Sequence, residues 1–153
     1  KAPDIGLVII GGEAAHIAHY TARAQALGIA DQVKFLGPRP VANLGGYLSQ
    51  ADILVSPRMM GQNTPMKVYS YMQAGKAILA TDIRSHTQAF DGTCAELVPP
   101  TAEGIAAGLQ RLAKDPELRK RLGAAAREKV EREYSLQVFQ RRVQDGYSRL
   151  LLA

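Results

Sequence analysis

A single cysteine, Cys94, stands among 153 residues, so neither an intrachain disulfide nor a cysteine-based zinc site can form. That scarcity fits a reducing compartment, and no partner that would activate the thiol for catalysis is legible in the sequence. Long apolar runs are also missing. None approaches the roughly 18 to 20 residues that a membrane span needs, and the opening Lys1-Ala-Pro-Asp4 has no signal-peptide core, so a soluble, cytoplasmic chain is expected. No segment repeats at a fixed period. The 14 glycines and 8 prolines are spread rather than bunched, which excludes collagen, low-complexity and disordered classes.

What is present suits one globular domain: 46% apolar residues in a chain long enough to bury a real core. The formal charge is +5, and its placement is uneven. Residues 1–100 carry 8 basic and 7 acidic groups, residues 101–153 carry 11 and 7. In the last third the signs alternate, as in Glu128-Lys129 and Glu131-Arg132-Glu133, which reads as a solvated helical surface and not as a stripe for nucleic acid. Attraction of that end to an anionic membrane surface is the weaker alternative.

Leu7-Val-Ile-Ile10 is an uninterrupted apolar run that stops at Gly11-Gly12, the pattern of a strand buried on both faces of a parallel sheet. Helix formers follow from Ala14 to about Leu27, with Gly28 as the stop. The alternation continues with a strand at Val33 to Leu36, a short helix near Asn43 to Gln50 and a strand at Ile53 to Ser56. A helix from Pro65 to Ala74 closed by Gly75, then a strand at Ala77 to Thr81, complete the pattern. Strand and helix in turn predict a doubly wound α/β sheet. Residues 82–92 are less legible, and Glu96-Leu-Val98 predicts one more short strand. Three helices finish the chain. The first carries Ile105, Leu109 and Leu112; the second opens with Asp115 as N-cap and Pro116 at its first position; the third repeats Phe139, Val143, Tyr147 and Leu150 or Leu151, the spacing of a helix packed on the domain.

Chemistry concentrates between Ile53 and Gly75. Thr64 is placed to cap the helix, Pro65 suits its first position, and Lys67 lies in the first turn, where a cation opposes the helix dipole. An anion shared between the Lys67 ammonium and the exposed amides of that turn explains the placement. Arg58 enters the same loop, at the carboxyl end of a strand, where open α/β sheets bind ligands. The pattern favours phosphate or pyrophosphate over an ordinary solvated turn. Gly11-Gly12-Glu13 lacks the full dinucleotide fingerprint and reads as a tight turn. His16 and His19 stand three apart on a helix without a legible third metal ligand and read as solvated. His86 reaches the crevice either as a ligand contact or as part of a local turn.

Leu7-Val-Ile-Ile-Gly-Gly12, Val33-Lys-Phe-Leu-Gly37, Ala51-Asp-Ile-Leu-Val-Ser-Pro57 and Ala74-Gly-Lys-Ala-Ile-Leu-Ala-Thr-Asp82, in this order and spacing, resemble the C-terminal domain of the family 4, or group 1, retaining glycosyltransferases. The resemblance covers nearly the whole chain and implies a Rossmann-like domain of a GT-B enzyme, with a nucleotide-diphosphate sugar as substrate and no cofactor. By position it implies that the segment Asn63, Thr64, Pro65 and Met66 meets the diphosphate through its amides and that the turn at Gly37 to Arg39 lies near the base; the residues' own reading adds Lys67, with Arg58, as stabilisers of the diphosphate charge. The family's paired glutamates fall on Gln62 and Ser70. Gln62 still hydrogen-bonds sugar hydroxyls and Ser70 offers one bond, but a neutral pair gives up the charge-assisted bonds of carboxylates.

The resemblance further implies an absent N-terminal domain holding the acceptor and a missing first, central strand between Leu7–Ile10 and Ile53–Ser56. Such a gap predicts either an irregular sheet or self-association through an exposed strand edge. A non-catalytic nucleotide-binding or interaction domain, and half of a sugar-nucleotide epimerase, are the rival readings.

Overall fold

The computed structural model describes residues 5–151, the side chains of 149–151 excepted, so Leu150 and Leu151 of the last helical stripe lie outside the described side chains. The chain forms two compact units, residues 1–46 and 47–153.

In the first unit, strand β1 (Leu7–Ile10) pairs in parallel with β2 (Val33–Gly37), joined through helix α1 (Ala14–Ala26). Gly28 ends α1 with a left-handed φ of 65°, and the Gly28 amide donates to the Gln25 carbonyl. Gly11 and Gly12 take φ of 104° and 88°, so this turn requires glycine. β1 corrects one expectation: all four residues are exposed, from 37% at Ile9 to 55% at Val8, instead of buried on both faces. Its apolar run is that of a central strand, but among the described residues its one strand neighbour is β2.

Helix α2 (Leu44–Gln50) runs across the division, and the second unit then carries β3 (Ile53–Ser56), α3 (Lys67–Gln73), β4 (Ala77–Thr81), α4 (Arg84–Thr87), β5 (Glu96–Val98) and helices α5 (Ala102–Lys114), α6 (Pro116–Tyr134) and α7 (Leu136–Leu151). Its sheet is parallel, in the order β3-β4-β5. The described strands thus form two parallel sheets, of two and three strands.

β4 is central, and all five of its residues are buried. Because side chains alternate across a strand, Ile78 and Ala80 join one core with Val68 and Met72 of α3, Phe90, and Ala126 and Val130 of α6. Ala77 and Leu79 join the other, with Val98, Leu112 of α5, and Leu118 and Leu122 of α6. Each fully buried Ile, Leu or Phe contributes about 1.5 to 3 kcal/mol. The first two helices after β5 are capped: Thr101 accepts from the Gly104 amide at 3.0 Å and Asp115 from the Leu118 amide at 2.8 Å. The alternating charges of α6 pair along its surface, Arg127 with Glu131 and Arg132 with Glu128.

The last helix corrects a second expectation. Leu136, Phe139 and Tyr147 of α7 are 69%, 62% and 67% exposed, so its apolar stripe is not packed into either core. The two faces of β4 are instead covered by α3, α5 and α6.

Candidate functional site

The loop between β3 and α3 holds most of the residues singled out above, and side chains from three elements pin it. Arg58 is half-buried, and its Nη1 donates to the Asn63 carbonyl at 3.0 Å, closing the loop on itself. The Thr64 hydroxyl donates to Gln88 Oε1 at 3.0 Å, just past α4. At the loop's start, Thr81 Oγ1, at the end of β4, donates to the Arg58 carbonyl.

Thr64 therefore does not cap the helix. α3 begins at Lys67, preceded by Met66 with helical φ and ψ and no side-chain cap. The Val68 amide reaches the Pro65 carbonyl at 3.0 Å and the Tyr69 amide the Met66 carbonyl at 3.3 Å, so a tight turn leads into the helix from Pro65. With that turn in place, the Thr64 hydroxyl is left to bond across to Gln88. Lys67 remains in the first turn, as its first residue.

Electrostatics set Lys67 apart. Desolvation of its ammonium, followed by repulsion from the Arg58 guanidinium, lowers its pKa from 10.5. Its Nζ lies 5.9 Å from the centre of the Tyr71 ring, within cation–π range. Among the described residues neither Lys67 nor Arg58 pairs with a carboxylate. Gln62, Asn63 and Met66 are exposed, and Ser70 is half-buried on α3.

Beneath the loop lies a polar cluster that sequence reasoning saw only in part. His86 is wholly buried, with Nε2 2.9 Å from Ser56 Oγ and Nδ1 2.9 Å from the Thr81 carbonyl. Burial lowers its pKa; the bond to the Thr81 carbonyl opposes that, and the positive charges of Arg58 and Lys67 add to it. His86 is thus neither a surface contact nor a simple turn residue. The sequence reading did not single out its partners, although each is a hydroxyl residue that closes an apolar strand, Ser56 and Thr81.

Gly37 and Arg39 belong to the first unit. Gly37 has φ of 67° and accepts from the Gly11 amide at 2.8 Å; Arg39 is exposed and donates to the carbonyl of its neighbour Pro38. The same unit has an apolar cleft of about 380 Å³ above the Gly11-Gly12 turn, walled by Ile9, Ile17, Tyr20 and Phe35. His16 and His19 are exposed, and His19 meets Tyr20 edge to face.

The family model described as "Glycosyl transferases group 1" matches residues 1–129. A phosphatidyl-myo-inositol mannosyltransferase of Mycolicibacterium smegmatis is 31% identical over 133 residues, 85% of this chain and 33% of the relative, so the chain spans about a third of the curated relatives it matches. Among solved structures, Anabaena HepE in complex with UDP superposes with a TM-score of 0.86 at 16% identity, over 95% of this chain and 41% of that one. The C-terminal domain of a group 1 glycosyl transferase from Francisella tularensis gives 0.77 at 21% identity, over 89% and 73%. The superpositions show a Rossmann-like α/β fold, and the match of the family model over most of the sequence makes this chain a member of the group 1 glycosyl transferases.

Proposed function

We propose that this chain binds the nucleotide-diphosphate sugar of a glycosyl transfer, as the donor-binding half of an enzyme whose other half holds the acceptor. One observation carries this reading. Lys67 and Arg58 belong to one loop, the Arg58 charge adds to the lowering of the Lys67 pKa, and neither has a carboxylate partner among the described residues. A folded protein gains nothing from crowding two cations unless an anion completes the set, and a diphosphate brings the charge and oxygen acceptors that both groups seek. In the transfer step negative charge builds on the departing diphosphate, so cations fixed in advance stabilise the transition state more than the ground state. In this reading the segment from Asn63 to Met66 meets the diphosphate, with the amides of Asn63, Thr64 and Met66 as donors, since Pro65 has no N–H.

Titration calorimetry of UDP and GDP into the full-length protein tests the reading. Lys67→Ala is expected to weaken binding roughly 10- to 100-fold, the size of a lost charge-assisted bond. Unchanged affinity overturns it. The neutral pair Gln62 and Ser70 favours a second reading, binding without turnover, and product analysis with nucleotide sugars separates the two.

A further inference from the structure

The cluster beneath the loop has a single consistent pattern of protons. The carbonyls of Arg58 and Thr81 only accept. The Thr81 hydroxyl therefore donates to the Arg58 carbonyl, and the His86 Nδ1–H donates to the Thr81 carbonyl, with Thr81 Oγ1 also 3.2 Å from that nitrogen. Nε2 is left with its lone pair free and accepts from the Ser56 hydroxyl at 2.9 Å. Each donor is used, and the neutral ring is held in one tautomer between the ends of two neighbouring parallel strands. Phe90 stacks on the same ring, with centroids 5.8 Å apart.

This network ends on the main chain of Arg58, where the loop leaves β3. The guanidinium then folds across the loop to the Asn63 carbonyl, passing so near Gly61 that a Cβ there would lie 2.8 Å from Arg58 Nη2. The Arg58 backbone is thus fixed from below and its side chain from the loop itself.

We propose that His86 and Thr81 are positioning residues for nucleotide binding: through the Ser56–His86–Thr81 chain of hydrogen bonds they hold the Arg58 backbone so that its guanidinium stands beside Lys67. This rests on the assignment of the diphosphate to Arg58 and Lys67. Neither residue touches the ligand. Their effect passes through Arg58 alone, which distinguishes positioning from general support of the fold.

A double-mutant cycle on the full-length protein tests it, with Kd for UDP and GDP measured by calorimetry on folded samples. Thr81→Val removes the hydroxyl while keeping the branched shape, and is expected to weaken binding roughly tenfold, the order of one displaced or unpaired hydrogen bond. Thr81→Ser restores the hydroxyl and is expected to bind nearly as wild type. His86→Leu is expected to match Thr81→Val in Kd. In an Arg58→Ala background Thr81→Val has no further effect. The inference is overturned if Thr81→Val binds as wild type while Arg58→Ala is weakened, or if the two losses add in full. Wild-type affinity in both Arg58→Ala and Lys67→Ala instead removes the diphosphate assignment itself, and the positioning role with it.

Discussion

Gly123, on α6, lies so close to Gly75, at the end of α3, that a Cβ on Gly123 would stand 2.3 Å from the Gly75 carbonyl oxygen. The helix backbone therefore packs directly on the turn that closes α3, and main chain cannot move aside as a side-chain tip does. Gly123→Ala is expected to cost about 1 to 3 kcal/mol or more, the price of overpacking a tight contact. Gly92 has open space around its Cβ position, and Gly92→Ala is expected to stay within about 0.5 kcal/mol. Urea unfolding of both variants makes the comparison.

The lowered pKa of Lys67 gives nucleotide binding a signature in pH. Lys67 is an exposed residue, yet partial desolvation of its ammonium and the Arg58 charge lower its pKa from 10.5, whereas a bound diphosphate favours the charged form and draws the pKa back up. Binding is therefore expected to take up protons in the alkaline range, and affinity is expected to fall as pH rises through the pKa of the free protein. Calorimetry in two buffers of different ionisation enthalpy measures the uptake, which Lys67→Ala should abolish.

His86 offers a second titration, of opposite consequence for folding. Its native pKa lies below 6.5, so the native ring stays neutral where an unfolded histidine begins to charge. As pH falls below 6.5 the unfolded state binds more protons, and stability is expected to decline until the native ring itself titrates. An NMR titration of the ring should place the His86 midpoint under 6.5; a midpoint at or above that value contradicts the buried, neutral tautomer.

Replacing Phe139, 62% exposed on α7, is expected to leave the stability of this chain nearly unchanged, within about 0.5 kcal/mol for Phe139→Ser. Leu122→Ala, deep in the core beside β4, is expected to cost about 2 to 5 kcal/mol. Denaturant midpoints of the two variants report the difference. A large loss at Phe139 would mean that α7 is packed after all.

Much of the architecture was legible along the chain because its signals are local. The strands at Ile53 to Ser56 and Ala77 to Thr81 announce themselves as short apolar runs, Gly28 and Gly75 as helix stops with positive φ, and Asp115-Pro116 as a capped start. The four-residue helix Arg84–Thr87 was missed because it is too short to show a period. The Lys67 and Arg58 pairing was legible as two cations in one loop, whereas Thr64 deceived, since a threonine before Pro reads as a cap whether or not a distant partner such as Gln88 claims its hydroxyl.

By itself, the sequence determined the alternation of strands and helices, the parallel pairing it implies, the family and the loop that gathers the cations, because spacing, turn residues and apolar runs act over a few neighbours. Only the tertiary structure decided what those elements bury and bond. It left β1 and the stripe of α7 exposed, set Gly123 against Gly75, and drew Ser56, Thr81 and His86 into one buried network 30 residues in span. Burial and long-range hydrogen bonding depend on which surfaces meet, and no local pattern of residues encodes that meeting.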